Sequence, residues 1–228
     1  MAKILVTGAN GQLGSETRKI SNLFPAFEFC FTDVAELNIT NQDEVAAFLA
    51  DFGPDFLINC AAYTAVDKAE TDQQTAYLLN ARAVEILAEE SAKLNCKIIH
   101  ISTDYVFNGN GPRPYTEDQA VDPQSVYGST KLEGEILCQQ KNPQSMIIRT
   151  SWLYSAFGNN FVKTMVRLGN EKPEIGVIAD QIGSPTNAAD LARAILKIIS
   201  SVSSGEKPFV SGIYHYSNEG VASWYDFT

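Results

Sequence analysis

Short runs of β-branched and apolar residues alternate with longer amphipathic stretches from the first residues onward, and this alternation narrows the fold more than any other feature of the chain. The strand-like runs fall at residues 3–7, 28–32, 55–59, 97–102 and 145–150. Helical patterns lie between them at 12–23, 42–52, 72–94 and 126–141, the third marked by Leu78, Leu79, Ala83, Ile86 and Leu87. Right-handed crossovers between such strands build an α/β, doubly wound parallel sheet. After residue 150 the rhythm weakens to a helix near 160–169, a short strand near 175–178, a helix near 188–201 and a strand near 213–216. The chain is therefore expected to divide into a sheet domain at 1–150 and a small substrate-binding lobe at 151–228. Its last residues, Ser223 to Thr228, read as a capped helix interrupted in its second turn, with the expectation that the natural chain continues.

Composition removes several classes of function. With 228 residues, 45% of them apolar and only 19% charged, the chain can bury a sizeable core and is neither disordered nor fibrous. The net charge of -10, with no dense cluster of Lys and Arg, argues against binding a nucleic-acid backbone. No run approaches the 18 apolar residues of a membrane span, and the first residues enter a strand pattern rather than a leader. Four cysteines without CxxC spacing fit small buried side chains in a reducing, cytoplasmic setting. His100 and His215 fall in strand patterns with no Cys or carboxylate at ligand spacing, so no metal site is expected from them.

The first strand runs into Thr7-Gly8-Ala9-Asn10-Gly11-Gln12-Leu13-Gly14, a GxxGxxG spacing between a strand and a helix. Glycines there allow a tight turn and close approach of backbone to a pyrophosphate, while the helix start offers free N–H groups and a positive dipole end. Many strand-to-helix turns carry glycine for packing alone, but this one opens a βαβ unit at the start of the chain. Asp33 follows the second strand, where a carboxylate commonly accepts hydrogen bonds from adenosine ribose hydroxyls. An acid at that point favours NADH over NADPH, because a 2′-phosphate beside it is repelled.

The fourth strand ends in Ser102-Thr103-Asp104-Tyr105, and the next helix contains Tyr127-Gly128-Ser129-Thr130-Lys131. Tyr127 and Lys131 stand one helical turn apart on one face, about 6 Å along the axis. A phenol with an ordinary pKa near 10 becomes a useful acid-base group when an ammonium stabilises its phenolate, a role open to Lys131. Thr103 at a neighbouring strand end can donate to the same substrate oxygen. A Tyr-Lys pair alone says little, since both are common on helix surfaces. Behind a glycine turn and an ST dipeptide it becomes a strong signal of acid-base chemistry.

These residues and the segments around them resemble the extended short-chain dehydrogenase/reductases, and within them the branch that reduces nucleotide-linked 4-keto-6-deoxy sugars. The matching segments are GANGQLG (8–14), NCAAYTAVDKAE (59–70), STDYVFNG (102–109), PYTED (114–118), VYGSTKLEGE (126–135), RTSWLY (149–154), GNNFVKTM (158–165) and DQIGSPT (180–186), so the resemblance covers essentially the whole chain. It implies a Rossmann-type fold, NADPH or NADH as cofactor, and a dTDP-linked deoxysugar substrate used in rhamnose and cell-surface polysaccharide biosynthesis. By the same resemblance, Gly8, Asn10, Gly11, Gln12, Leu13 and Gly14 bind the cofactor, with Gly11, Gln12 and Leu13 lining the pyrophosphate and Asp33 the ribose. Asn38 and Ile39 lie on the adenine side, and Ala62, Tyr63 and Thr64 on the nicotinamide side. Thr103, Tyr127 and Lys131 are the implied catalytic residues, Tyr127 and Lys131 also touching the cofactor, while Thr103, Asp104 and Trp152 meet the sugar nucleotide. Asn38 replaces the Asp often found in that segment, and Cys60 replaces an alanine. Two other readings stay open: a nucleotide-sugar C4 epimerase with the same catalytic pair, and a non-catalytic NADP-binding regulatory subunit like the methionine adenosyltransferase β subunit. A homodimer is compatible with the resemblance, and Mg2+ at a subunit contact has no signature in the sequence.

Overall fold

A computed structural model describes residues 1–111 and 113–228. Six strands form the central sheet: β1 (Ala2–Thr7), β2 (Phe27–Thr32), β3 (Phe56–Asn59), β4 (Lys97–Thr103), β5 (Ser145–Thr150) and, late in the chain, β9 (Gly212–His215). Their order is β2-β1-β3-β4-β5-β9 and every neighbouring pair is parallel. Strand residues alternate between two buried faces, which is why these runs are apolar throughout. Ile4, Val6, Ile58, Ile99 and Ile148 pack beneath α1 (Gln12–Ile20) and α8 (Ala188–Ser203). Leu5, Leu57, Ile98 and Ile147 pack on the other face with α2 (Gln42–Phe52), α5 (Ala83–Lys93) and Cys138 of α6 (Val126–Lys141). The chain winds outward from β1 to β2 and then back through β3, β4 and β5, so the switch point lies at the carboxyl ends of β1 and β3. A crevice forms there because the two crossovers leave in opposite directions.

The helix expected over 72–94 is interrupted. It consists of α4 (Gln73–Tyr77), one wide turn at Leu78–Arg82 and α5. The wide turn aims Asn80 out of the helix: its Oδ1 accepts from Tyr63 N at 2.8 Å, and its Nδ2 donates to Tyr63 O at 3.1 Å and to Thr130 Oγ1 at 3.2 Å. The segment between β3 and α4, with α3 at Val66–Ala69, is thus fixed to α6 from below.

The boundary expected at residue 150 does not coincide with the edge of the sheet, because α8 and β9 return to it. Residues between β5 and α8 and after β9 build a smaller unit of short pairings. There β6 (Leu153–Tyr154) pairs in parallel with β8 (Thr186–Asn187), and β7 (Ile182–Gly183) pairs antiparallel with β10 (Ala222–Ser223). Helices α7 (Phe161–Glu171) and α9 (Trp224–Phe227) complete it. No strand forms at 175–178: this stretch carries Gly176 and pairs with no strand, although Ile178 O accepts from Tyr225 N at 3.1 Å. A strand without a partner leaves its backbone groups unsatisfied, and pairing is taken up at Ile182–Gly183 instead. At the end of the chain, Ser223 and Asp226 form a reciprocal cap on α9, and Trp224 stacks on Trp152 with ring centres 3.5 Å apart.

Candidate active site

Gly8 leaves β1 with φ +64°, and a Cβ there would fall 2.6 Å from the backbone of Ala61, so the turn admits glycine alone. A Cβ on Gly14 would fall 2.5 Å from Gly8 O, because α1 starts directly against the turn. Gly11 caps α1 without any side-chain hydrogen bond, which leaves the first-turn N–H groups facing the crevice for an anion. The crevice holds about 440 Å³ and is lined by Gly8, Asn10, Gly11, Asp33, Asn38, Ile39 and Ala62 among others. Asp33 braces it: Oδ2 accepts from Asn10 N and Oδ1 from Val34 N, each at 2.9 Å. A glycine cradle, an open helix start and a carboxylate across the mouth fit a dinucleotide with its pyrophosphate on α1.

The side chains of the other residues assigned to the cofactor from the sequence have partners of their own. Leu13 is buried in the core beneath α1, and Gly14 serves the packing of that helix. Gln12 reaches toward the smaller unit, where Oε1 accepts from Asn160 Nδ2 at 3.0 Å. Tyr63 is held by Asn80 and donates its hydroxyl to Asp72 at 3.1 Å, and Thr64 is exposed.

The chemical residues gather at the end of β4. Thr103 is its last residue; Oγ1 donates to Asp104 Oδ1 at 3.1 Å and accepts from Tyr105 N at 3.2 Å. Ser125 caps α6 by accepting from Gly128 N at 3.0 Å, and this sets Tyr127 in the first turn. The phenol is buried, with its ring edge-on to Tyr105 at 5.5 Å. Burial pushes its pKa up to about 12, partly offset by the neighbouring Thr103 hydroxyl. Burial likewise raises Asp104 to about 6, opposed chiefly by its hydrogen bond from Thr103.

Lys131 finds its partners on the sheet. Its Nζ donates to Ile101 O at 2.6 Å and lies 3.4 Å from His100 Nε2, so Nζ settles on the sheet. The phenol pKa of Tyr127 is raised by burial rather than lowered by this neighbour. Burial brings Lys131 itself down to about 8, opposed by Glu135 one turn further along α6. Trp152 follows β5, two residues beyond the strand partner of Thr103, at φ +48°. A Cβ on Gly183 would fall 2.4 Å from its ring, so this glycine seats the indole.

Sequence reasoning passed over Asn59 and Asn80, and read His100 only as a strand residue outside any metal site. Each is a fully buried polar residue inside an apolar pattern, and that mismatch is the signal that marks them. Among the described residues, no group of three or more His, Cys, Asp or Glu is placed to hold a metal ion, and no helix is long and apolar enough to cross a membrane.

A doubly wound sheet with a glycine turn at its switch point and a Thr-Tyr-Lys trio beside it defines a nicotinamide-dependent oxidoreductase of the short-chain dehydrogenase/reductase type. The model of the family described as RmlD substrate binding domain matches residues 2–228, and the chain belongs to that family. It is 45% identical over 227 residues to a dTDP-4-dehydrorhamnose reductase of Aggregatibacter actinomycetemcomitans, covering 100% of this chain and 77% of that one. Among solved structures it is similar to a dTDP-4-dehydrorhamnose reductase from Clostridium acetobutylicum, with a TM-score of 0.92 and 47% identity over 99% of this chain and 77% of the other. It is also similar to the Bacillus anthracis dTDP-4-dehydrorhamnose reductase in complex with NADP, with a TM-score of 0.93 and 42% identity over 100% of this chain and 78% of the other.

Proposed function

We propose that this chain reduces the 4-keto group of dTDP-4-dehydro-L-rhamnose to give dTDP-L-rhamnose at the expense of NAD(P)H, with Thr103, Tyr127 and Lys131 carrying the chemistry. The observation that supports this most is the placing of a buried, protonated phenol near the Thr103 hydroxyl at the carboxyl end of β4, the strand next to β3, after which Cys60, Ala61 and Ala62 line the glycine crevice. The crevice would hold a nicotinamide cofactor, whose chemistry is hydride donation to the sugar carbonyl carbon. Tyr127 holds the proton that the carbonyl oxygen needs, and its high pKa keeps it in the acid form throughout the physiological range. Thr103 presents its hydroxyl to the same oxygen and orients the ketone. Lys131, its Nζ held by the Ile101 carbonyl, would hold the nicotinamide ribose near the phenol.

The residues between β5 and α8 and after β9 form the substrate lobe in this reading, with Trp152 and Asp104 at the sugar nucleotide. A cytoplasmic setting goes with the reading, since NAD(P)H is available there and the four unpaired cysteines stay reduced. The test is NAD(P)H oxidation followed by absorbance with the keto sugar nucleotide added. Turnover that requires the sugar and releases free NAD(P)+ supports the reductase. No turnover with either cofactor overturns it.

A further inference from the structure

We propose that Thr7, Asn59 and His100 form a buried hydrogen-bond chain of fixed polarity that runs beneath the cofactor crevice and ends on Lys131, so that His100 positions the Lys131 amine by presenting Nε2–H to it. The inference rests on the reductase reading for its catalytic meaning.

The three residues occupy one row across the sheet, with Thr7 paired in register to Asn59 and Asn59 to His100. All are buried, as is Lys131 above them. Thr7 Oγ1 donates to Asn59 Oδ1 at 2.7 Å, and Ala61 N donates to the same oxygen at 3.1 Å. A backbone N–H can only donate, so the Asn59 oxygen is fixed on that side and its amide nitrogen faces His100 Nδ1 at 3.0 Å. Nδ1 must then accept. Burial, aided by the charge of Lys131, holds His100 well below its ordinary pKa, so the ring is neutral and its one proton sits on Nε2.

That N–H faces Lys131 Nζ at 3.4 Å, while Nζ donates to Ile101 O. An N–H aimed at Nζ favours the free amine over the ammonium and acts in the same direction as burial. Glu135 on the same helix favours the ammonium, but both its oxygens are already engaged by Arg149. Cys60 and Cys138 also face Lys131, and burial raises both thiols to about 12, which keeps them uncharged. His100 therefore sets where Nζ stands and how readily it takes a proton.

The chain has two histidines, so a protein labelled with ¹⁵N-histidine shows two rings, and the His100→Gln variant assigns them. Two-bond ¹H–¹⁵N spectra should report the Nε2–H tautomer for His100; an Nδ1–H tautomer overturns the proposal. Asn59→Asp replaces the donor with an acceptor, so the ring proton should move to Nδ1. The Lys131 pKa, read from its ¹³Cε shift, should then rise by about one unit or more, an effect the size of losing one hydrogen bond. An unchanged tautomer together with an unchanged Lys131 titration overturns the chain. His100→Gln, which can still place an N–H toward Nζ, should keep kcat within about fivefold, whereas His100→Phe should lose about tenfold or more with KM for the sugar nearly unchanged. Equal losses in both variants with an unmoved pH profile would show that His100 only fills space. The spectra need no turnover, so a protein with the stated tautomer that fails to oxidise NADPH sinks the reductase reading alone.

Discussion

Arg149 on β5 closes on Glu135 of α6 through three short contacts, Nε to both carboxylate oxygens at 3.0 and 3.2 Å and Nη2 to Oε2 at 2.7 Å. The pair is almost wholly buried, Ser102 Oγ donates to the same carboxylate, and the Phe107 ring lies 5.1 Å from the guanidinium. It binds the helix that carries Tyr127 and Lys131 to the strand leading into Trp152. Helix α6 and the entry to the smaller unit therefore share one electrostatic anchor.

Arg149→Met should destabilise the protein by about 3–5 kcal/mol, because it leaves the Glu135 carboxylate buried without its partner. The double variant Glu135→Leu/Arg149→Met should recover most of that loss, since two apolar groups of similar volume need no pairing. Urea unfolding of both variants checks this; a single variant as stable as the parent would mean that the pair is not closed in solution.

Tyr127→Phe removes only the phenol oxygen. Turnover should fall by about 10²- to 10⁴-fold, the range for a lost general acid, with NADPH affinity nearly unchanged. Steady-state kinetics beside a fluorescence titration of NADPH separate the two effects. Turnover like that of the parent would assign the proton to another group.

The raised carboxyl of Asp104 gives a pH signature. Folding keeps its proton up to about pH 6, whereas the unfolded chain releases it near 3.8, so the folded state binds more protons between those values. From this group stability falls as pH rises from about 4 to 6, and the cost persists at pH 7. Asp104→Asn should therefore gain on the order of 1–3 kcal/mol at pH 7 and flatten the slope in that window. Denaturation midpoints at pH 4, 5, 6 and 7 make the comparison, and parallel profiles would contradict it.

Asp33→Ala should shift cofactor preference toward NADPH by about ten- to a hundredfold in relative affinity, through loss of the ribose acceptor and of the repulsion against a 2′-phosphate. Asp33 also braces Asn10 and Val34 N–H groups, so both affinities should fall while their ratio moves. Titration of each cofactor decides it. Equal losses would leave Asp33 a brace for the turn and nothing more.

Locally encoded features were readable before any coordinates. The helix at 42–52 follows from its apolar spacing and Asn41 cap, the one at 126–141 from Ser125, and the glycine turn from a backbone that only glycine can adopt. Their causes lie within a few residues of the chain. Pairing at a distance is a different matter. β9 becomes the sixth strand only because β5 offers an edge, and the run at 175–178 stays unpaired for want of one. Asn80 breaks a continuous helical pattern because its amide bonds Tyr63 and Thr130, seventeen and fifty residues away. The i, i+4 spacing of Tyr127 and Lys131 put them on one face of α6, but the direction of Nζ was set by the Ile101 carbonyl and the His100 ring on β4. Periodicity records which way a side chain leaves its own element, whereas the acceptor it finds in a dry interior belongs to another part of the chain.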